Sequence, residues 1–295
     1  MHLFTNKIRG LKISTLILIM GLSGCFITSL FSCNLINPTE GIPSYLQIDT
    51  FGFSVLPGQG TASTKITDVW VYNENSLVGA YEMPKTFPIL DSGPTKLIFS
   101  PGIWDNGISE TRVIYPFYFP DTITLNLQPG KISPINPHFT YRPSTKFYFD
   151  EDFEAGNLFS QFGGDTNMVR IMDIEDVFEG GFSGKISLDH EHPYYQGISG
   201  SSYTFPIGEP VFLELNYKCD QPFQVGLYGT QAAGSIFYYK WTINTKQNWN
   251  KIYLDMGADV GSLGADSYQI LIKAVFDSTR TSSDIYLDNI KLVSY

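Results

Sequence analysis

Aromatic side chains are the residues of this chain with the clearest potential for binding chemistry. Tyr194 and Tyr195 follow one strand-like segment, and Tyr238 lies in the run Phe-Tyr-Tyr-Lys-Trp at 237–241. An exposed aromatic ring stacks on the apolar side of a pyranose, while a few polar groups around it fix the orientation of the sugar. Strand alternation places Tyr238 on the face opposite Phe237, Tyr239 and Trp241. We expect that larger apolar set to be core, which leaves Tyr194, Tyr195 and Tyr238 as candidate binding residues.

Paired acids are the second group with chemical potential. Asp150 and Asp152, and likewise Asp173 and Glu175, are separated by one residue. Two such carboxylates on one strand face lie about 7 Å apart, a distance that suits an inverting glycosidase. The loops around them are too short to build a deep cleft, and the sequence has neither a glycine-rich phosphate loop nor a serine elbow. We therefore expect no enzymatic activity.

The segment Asp-His-Glu-His at 189–192 is the one pattern that suggests a transition metal. His190 and His192 share a face of an extended strand, a spacing that can chelate such an ion. The remaining histidine downstream of the N-terminal region is His138, far away in sequence. We expect residues 189–192 to form a solvated loop.

The composition favours an all-β fold that would position these residues on strands and loops. Aromatic residues make up 15% of the chain, Gly and Pro number 27 and 17, and no long segment keeps a helical period. Strand-like segments bounded by turn residues recur instead, which is typical of β-sandwiches. We predict two sandwich domains, at 42–130 and 146–295, joined by a Pro-rich linker at 131–145. The first resembles the small immunoglobulin-like or transthyretin-like sandwiches found beside membrane anchors.

Residues 146–295 resemble the galactose-binding-like jelly roll of many carbohydrate-binding modules. The segments 147–156 and 284–293 look like its first and last strands, 179–188 like its glycine turn and second strand, and 249–254 like its tryptophan-led strand. This resemblance implies sugar binding, protein docking or a structural role, because one fold hosts all three. It also implies a structural calcium ion, with Glu154, the turn at 181–185 and Asp288 at the corresponding positions. Carboxylates and turn carbonyls supply the oxygens that calcium requires.

The N-terminal region has the layout of a bacterial lipoprotein signal. Lys7, Arg9 and Lys12 precede an apolar run that ends at Cys33. Cleavage before Cys33 removes the whole apolar run (1–32) and leaves a short tether at 33–41, so we predict lipidation of Cys33. Cys25 is the alternative acceptor, because Leu-Ser-Gly-Cys matches the lipobox better in residue type. An uncleaved membrane anchor remains a third possibility, since about 20 apolar residues can span a bilayer.

Charge and cysteine content limit the partners. Removal of residues 1–32 takes the net charge from −10 to −13, with 16 basic against 29 acidic residues. Nucleic acids and anionic headgroups are therefore poor partners. With Cys33 lipidated, Cys219 is the only thiol left after cleavage, and its place in an alternating apolar strand predicts that it is a core residue.

The whole organisation resembles outer-membrane lipoproteins of the Bacteroidetes type. That resemblance implies a protein held at the outer membrane by its lipid anchor. It also favours display on the cell surface over a location inside the outer membrane. Two functions remain open at this point. The jelly roll binds glycan, or the protein is a structural adaptor that docks onto an outer-membrane protein complex.

Overall fold

The computed structural model describes residues 41–295, together with Leu18. The predicted signal peptide apart from Leu18, both candidate acceptors Cys25 and Cys33, and all of the tether except Gly41 lie outside the described residues. Within the described part, no helix is long and apolar enough to cross a membrane. The fold is all-β, as the composition indicated.

The N-terminal sandwich comprises residues 44–141. Its strands are β1 (Ser44–Ile48), β2 (Gly52–Ser54), β3 (Asp68–Asn73), β4 (Ser76–Glu82), β5 (Lys85–Ile89), β6 (Gly93–Trp104), β7 (Arg112–Ile114), β8 (Tyr118–Phe119), β9 (Asp121–Leu127), β10 (Ile132–Ile135) and β11 (His138–Tyr141). They form the sheets β10-β1-β5, β2-β11-β8 and β4-β3-β6-β7, with β9 also paired to β6. Alternating burial along β1 directs Leu46 and Ile48 into the core.

The prediction of a linker at 131–145 is wrong, because most of these residues belong to the N-terminal sandwich. Strand β10 pairs in parallel with β1, and β11 pairs with both β2 and β8. Phe139 and Tyr141 of β11 point into the core. Pro134 is compatible with a strand here because β10 is an edge strand, where a missing N–H leaves no ladder bond unmade on the open side.

The C-terminal sandwich comprises residues 146–294. Its elements are β12 (Lys146–Glu151), β13 (Phe159–Gly164), β14 (Met168–Ile171), β15 (Ser183–Asp189), β16 (Tyr194–Ser199), β17 (Phe212–Cys219), β18 (Phe223–Gln231), β19 (Gly234–Ile243), β20 (Lys246–Asp255), helix α1 (Gly257–Leu263), β21 (Ser267–Val275) and β22 (Ser282–Ser294). We call β14-β15-β22-β17-β20, with β12 paired to β22, the back sheet. The order β13-β16-β21-β18-β19 is the front sheet.

The two sheets enclose one hydrophobic core. Ile186 and Leu215 from the back sheet and Leu227 and Ile272 from the front sheet belong to it. The predicted first and last strands pair with each other, as β12 and β22. Cys219 is also in this core, as predicted, and burial raises its pKa to about 11, so its thiol stays protonated and unreactive at neutral pH.

The outer face of the back sheet is covered by the N-terminal sandwich. Phe212, Tyr253 and Val293 belong to the hydrophobic core of that sandwich, although they lie on β17, β20 and β22. Their chain neighbours Leu213, Leu254 and Leu292 point the other way, into the core of the C-terminal sandwich. The central strands of the back sheet are therefore buried on both faces, and the two sandwiches are held together by direct packing.

Candidate functional site

The outer face of the front sheet carries several aromatic residues that are accessible to a ligand. Strand alternation sets which side chains lie there. Tyr195 of β16 is in the core, so Tyr194 and Gln196 point outward. Ile272 of β21 is also in the core, so Lys273, which pairs with Gln196, points outward as well.

A β-bulge decides which residues of β19 join this face. Val225 pairs with Trp241, but the next residue, Gly226, pairs with Tyr239, so Lys240 is an extra residue on β19. The extra residue reverses the alternation. Trp241 lies in the core at 7% exposure, whereas Phe237 is 44% exposed. The expectation that Phe237, Tyr239 and Trp241 share a face is therefore wrong, although Trp241 is a core residue as expected.

Tyr238 lies on the other side of β19 from Phe237 and Tyr239. It pairs with Leu227, a core residue, and its hydroxyl donates a hydrogen bond to Asp259 Oδ1 of helix α1 at 3.0 Å. Lys240 Nζ lies 2.7 Å from the second carboxylate oxygen of Asp259. The hydrogen bond to Asp259 raises the pKa of Tyr238. Tyr238 therefore helps hold α1 against the edge of the front sheet and is not part of the aromatic face.

Tyr195 is not a surface residue either. Its side chain is 1% exposed and packs in the core, so the prediction of an exposed ring at this position is wrong. Burial raises the pKa of its hydroxyl, which has no hydrogen-bond partner among the described residues. Of the three predicted tyrosines, only Tyr194 lies on the outer face, where its hydroxyl donates to Gln196 Oε1.

Three aromatic rings that sequence reasoning missed form a cluster on this face. The ring centroids of Phe162 and Tyr228 lie 5.2 Å apart, those of Phe162 and Phe237 5.5 Å, and those of Tyr228 and Phe237 5.0 Å. Phe162 is 46% exposed and sits at a bulge of β13, which takes it out of the ladder. Gly164, just after it, has φ +94°, and a Cβ there would lie 2.2 Å from the carbonyl oxygen of Tyr194. Only glycine allows β13 to approach β16 this closely.

Polar groups flank the aromatic cluster. Lys273 Nζ lies 4.9 Å from the centroid of the Tyr239 ring, within the range of a cation–π contact. Gln224, Thr242 and Lys273 line a cavity of about 200 Å³ at the neighbouring end of the sheet. We call the whole set the front face. It comprises Phe162, Tyr194, Gln196, Gln224, Tyr228, Phe237, Tyr239, Thr242 and Lys273.

The two predicted calcium ligands contact opposite ends of the glycine turn. Glu154 Oε1 accepts hydrogen bonds from the backbone N–H groups of Gly181 and Phe182 at 2.8 and 3.0 Å. Asp288 is fully buried and accepts a bond from the N–H of Glu179 at 3.3 Å. Burial raises the pKa of Asp288 to about 7.

The oxygen donors around Asp288 are of the kind that calcium takes. Asn289 donates through its side-chain amide to Glu179 Oε2 at 3.1 Å, and its own Oδ1 is buried without a hydrogen-bond partner among the described residues. Two carboxylates and an unpaired amide oxygen are hard donors that suit calcium. Within residues 41–295, no group of three or more His, Cys, Asp and Glu side chains is arranged to hold a metal ion. A calcium ion at Glu154 and Asp288 stays a prediction.

The segment at 189–192 is a solvated loop between β15 and β16, as expected. His192 is half exposed and its Nδ1 lies 3.2 Å from Asp189 Oδ1, which also accepts the N–H of Glu191. His190 packs edge-on against Phe276 instead of facing His192 across a shared ligand position. The two histidines therefore stabilise the loop and its packing against the sandwich.

Comparisons with known proteins give distant likenesses. No known protein family matches the chain, and no curated protein matches it either. Among solved structures, the chain is similar to a carbohydrate-binding module of the β-sandwich superfamily described as having promiscuous specificity. The identity is 15%, the match covers 86% of this chain and 99% of the other, and the TM-score is 0.38. A family 11 carbohydrate-binding module from Clostridium thermocellum, in complex with a β-1,3-1,4-mixed-linked tetrasaccharide, matches at 13% identity over 50% of this chain and 94% of the other, with a TM-score of 0.34.

The enzymatically active domain of tailspike protein 4 from bacteriophage CBA120 is also similar. Its identity to this chain is 12%, its TM-score is 0.39, and the match covers 56% of this chain. The chain spans about a quarter (26%) of the length of that domain.

Proposed function

We propose that the protein is a non-catalytic, lipid-anchored protein of the cell envelope that binds glycan on the front face of its C-terminal sandwich. The observation that carries this proposal is the cluster of Phe162, Tyr228 and Phe237. Two of these rings are close to half exposed, and Gln196 and Lys273 lie on the same face of the sheet. Exposed rings with a few polar groups at their edge are the combination that recognises a sugar ring.

The shape of the front face indicates the kind of glycan. The face is the surface of a sheet, with the aromatic cluster on one part of it and the cavity lined by Gln224 and Lys273 on another. Tyr194 lies at the cavity end, because it pairs with Val275, which also lines the cavity. Such an open surface accommodates the interior of a chain, because neither end of the chain has to enter a closed pocket. We infer that the ligand is a polysaccharide bound along its length.

The anchor completes the proposal. Lipidation at Cys33, or alternatively at Cys25, would hold the sandwiches at the outer membrane through a short tether, with display on the cell surface favoured. The organisation that resembles Bacteroidetes-type lipoproteins supports this location. A calcium ion at Glu154 and Asp288 would be structural, since these residues accept hydrogen bonds from the glycine turn and are not on the front face.

An adaptor role is the alternative, and one observation favours it. The edge strand β14 and the residues after it expose apolar side chains in a short stretch of sequence. Val169 is 50% exposed, Met172 72% and Ile174 82%. An open sheet edge next to exposed apolar groups can pair with a strand of a partner protein. In this alternative, the protein docks onto an outer-membrane protein complex through β14.

A glycan array with the full-length lipoprotein, held in a detergent without a sugar headgroup, tests the glycan proposal. We expect binding to a defined set of polysaccharides, and we expect Phe237→Ala to weaken it by about 1 to 2 kcal/mol, the usual effect of truncating an exposed anchor. Phe119→Ala is a matched control, because Phe119 is 50% exposed on the N-terminal sandwich. If the wild type binds no glycan, or if both variants lose binding equally, the proposal is wrong.

A further inference from the structure

A cleft between the two sandwiches continues from the front face across strand β19. It has a volume of about 400 Å³, within the range of about 300 to 1,000 Å³ that is usual for small-molecule sites. One wall is the turn that follows β6 and starts at Trp104, the last residue of that strand. The other wall is the hairpin of β19 and β20. Thr242 borders both this cleft and the cavity of the front face. A chain lying on the front face would reach the cleft by crossing a single strand edge.

The cleft is positively charged in a chain that is strongly negative overall. Among the described residues, Lys65, Lys240 and Lys246 line it, and no Asp or Glu does. The chain as a whole has 29 acidic against 19 basic residues. The absence of acidic side chains from the lining is therefore opposite to what the composition alone would produce. We call this site the lysine cleft.

Two of the three lysines form no direct ion pair among the described residues, although Lys246 also lines a neighbouring cavity that contains Asp176, Asp220 and Asp284. Lys240 forms an ion pair with Asp259 at 2.7 Å. Within residues 41–295, neither Lys65 nor Lys246 has a carboxylate within 4.0 Å. The pKa of Lys65 is lowered, first by burial and then by the charge of Lys246. The two ammonium groups thus repel each other, and an anion between them would relieve that repulsion.

The position of Lys65 is held by the surrounding structure. Lys65 Nζ donates to Asn250 Oδ1 at 2.6 Å and lies 5.0 Å from the ring centroid of Trp104. Asn106 Oδ1 accepts bonds from Trp241 Nε1 at 2.8 Å and from the N–H of Asp255 at 3.0 Å, which fixes the opposite wall. A site whose charged group is already held in place loses less conformational entropy when a ligand binds.

We propose that the lysine cleft binds the carboxylate of a uronic acid unit, so that the protein recognises an acidic polysaccharide. This inference rests on the proposed glycan binding at the front face. The chain would stack on Phe162 and Phe237, pass Thr242, and place one uronate between Lys65 and Lys246. The cations then select for the acidic sugar, and the aromatic face supplies contact area that neutral and acidic chains share.

Isothermal titration calorimetry on the full-length lipoprotein in a detergent without a sugar headgroup tests this inference. The probes are trigalacturonate, a mannuronate trimer and a hyaluronan tetrasaccharide, each compared with a neutral oligosaccharide of the same length. We expect at least one acidic probe to bind about tenfold or more tightly than its neutral counterpart, because a hydrogen bond to a charged group contributes more than a neutral one. Raising the salt concentration from 0.05 to 0.5 M should reduce this preference, since exposed charges are screened.

Two lysine variants and one control locate the site. Lys246→Gln changes an exposed residue, and Lys65→Met removes the half-buried charge, so a folding defect in the second leaves the first informative. We expect each to weaken binding of the acidic probe roughly three- to tenfold and to leave the neutral probe unchanged. Lys96→Gln, an exposed lysine on β6 away from the cleft, should change neither.

The outcomes separate this inference from the proposed function. If neutral and acidic probes bind equally and Phe237→Ala weakens both, the front face is correct and the lysine cleft is wrong. If an acidic probe is preferred but Lys246→Gln and Lys65→Met retain that preference, the cleft is again wrong. If no probe of either kind binds although the array shows a glycan ligand, the lysine cleft is wrong, and if the array shows no ligand either, both proposals fall.

Discussion

The hydroxyl of Tyr115 in the N-terminal sandwich donates a 2.7 Å hydrogen bond to the carboxylate of Glu214 in the C-terminal sandwich, and both side chains are fully buried. The hydroxyl of Tyr141 donates to the same carboxylate at 2.9 Å, and Lys251 Nζ lies 3.0 Å from its other oxygen. A buried charge is tolerated only when its partners are complete. Glu214 therefore ties the orientation of one sandwich to that of the other, and this orientation forms the walls of the lysine cleft.

Removing the charge of Glu214 should destabilise the whole protein. Glu214→Gln retains an oxygen for the tyrosine hydroxyls but leaves Lys251, which is 4% exposed, without its anionic partner. We expect a loss of about 3 to 5 kcal/mol in the free energy of unfolding, as measured by urea denaturation. Glu74→Gln is the control, since Glu74 is exposed in a turn, and its effect should stay within about 0.5 kcal/mol. Equal stability of the two variants would contradict the role of Glu214.

The raised pKa of Asp288 predicts a pH dependence of stability. Its pKa is about 7 in the folded protein against an ordinary value of 3.8, so between these values the folded protein holds more protons than the unfolded chain. The free energy of unfolding should then fall as the pH rises from 4 to 7, by up to about 1.4 kcal/mol per pH unit. In Asp288→Asn this contribution should be absent. Urea titrations of both proteins at each pH give the difference, and parallel curves would show that Asp288 does not titrate in this range.

Calcium should change this pH dependence of stability if it binds at Glu154 and Asp288, as the jelly-roll resemblance implies. A cation at Asp288 favours the ionised carboxylate, and a ligand selective for the folded state raises the melting temperature by mass action. We expect calcium to raise the melting temperature at pH 7.5 and EDTA to reverse the rise. Glu154→Ala should reduce the response to calcium. A melting temperature that is indifferent to calcium in the wild type would remove the metal prediction and leave the fold unaffected.

The bulge at Lys240 predicts opposite consequences for two neighbouring aromatic residues. Trp241 fills the core, so Trp241→Ala should cost about 3 to 5 kcal/mol of stability. Tyr239 lies on the front face, so Tyr239→Ala should weaken glycan binding by about 1 to 2 kcal/mol with a smaller effect on stability. Thermal melts and the glycan array measure the two effects. If Trp241→Ala weakened glycan binding and Tyr239→Ala lowered stability instead, the bulge would not lie at Lys240 and Trp241 would face the ligand.

The anchor prediction is tested on the residues before position 41. We expect Cys33→Ala to abolish acylation and to leave the precursor unprocessed, because Cys33 ends the apolar run. Cys25→Ala should be processed normally. Intact mass spectrometry of the membrane fraction distinguishes the two variants. If the Cys33→Ala protein were mature and acylated, Cys25 would be the lipidated cysteine.

The sequence by itself determined the fold class and the features that depend on local pattern. Alternation along residues 211–219 was enough to place Cys219 in a core. The segments at 147–156 and 284–293 were identified as first and last strands by their resemblance to a jelly roll, and the structure shows that the strands there, β12 and β22, pair with each other. Alternation depends on side chains a few residues apart on one strand. Such relationships are visible without knowledge of the rest of the chain.

Only the tertiary structure decided which faces are covered and which residues reach the surface. Glu214 alternates with core residues in the way an exposed strand residue would, and its burial follows from the packing of a second sandwich against the sheet. One extra residue at Lys240 reverses the faces of β19, and the register of β16 buries Tyr195. Phe162, Tyr228 and Phe237 come from three strands and meet only once the front sheet is assembled. Register, bulges and packing between sandwiches arise from contacts between residues far apart in sequence, so periodicity along a single strand could not reveal them.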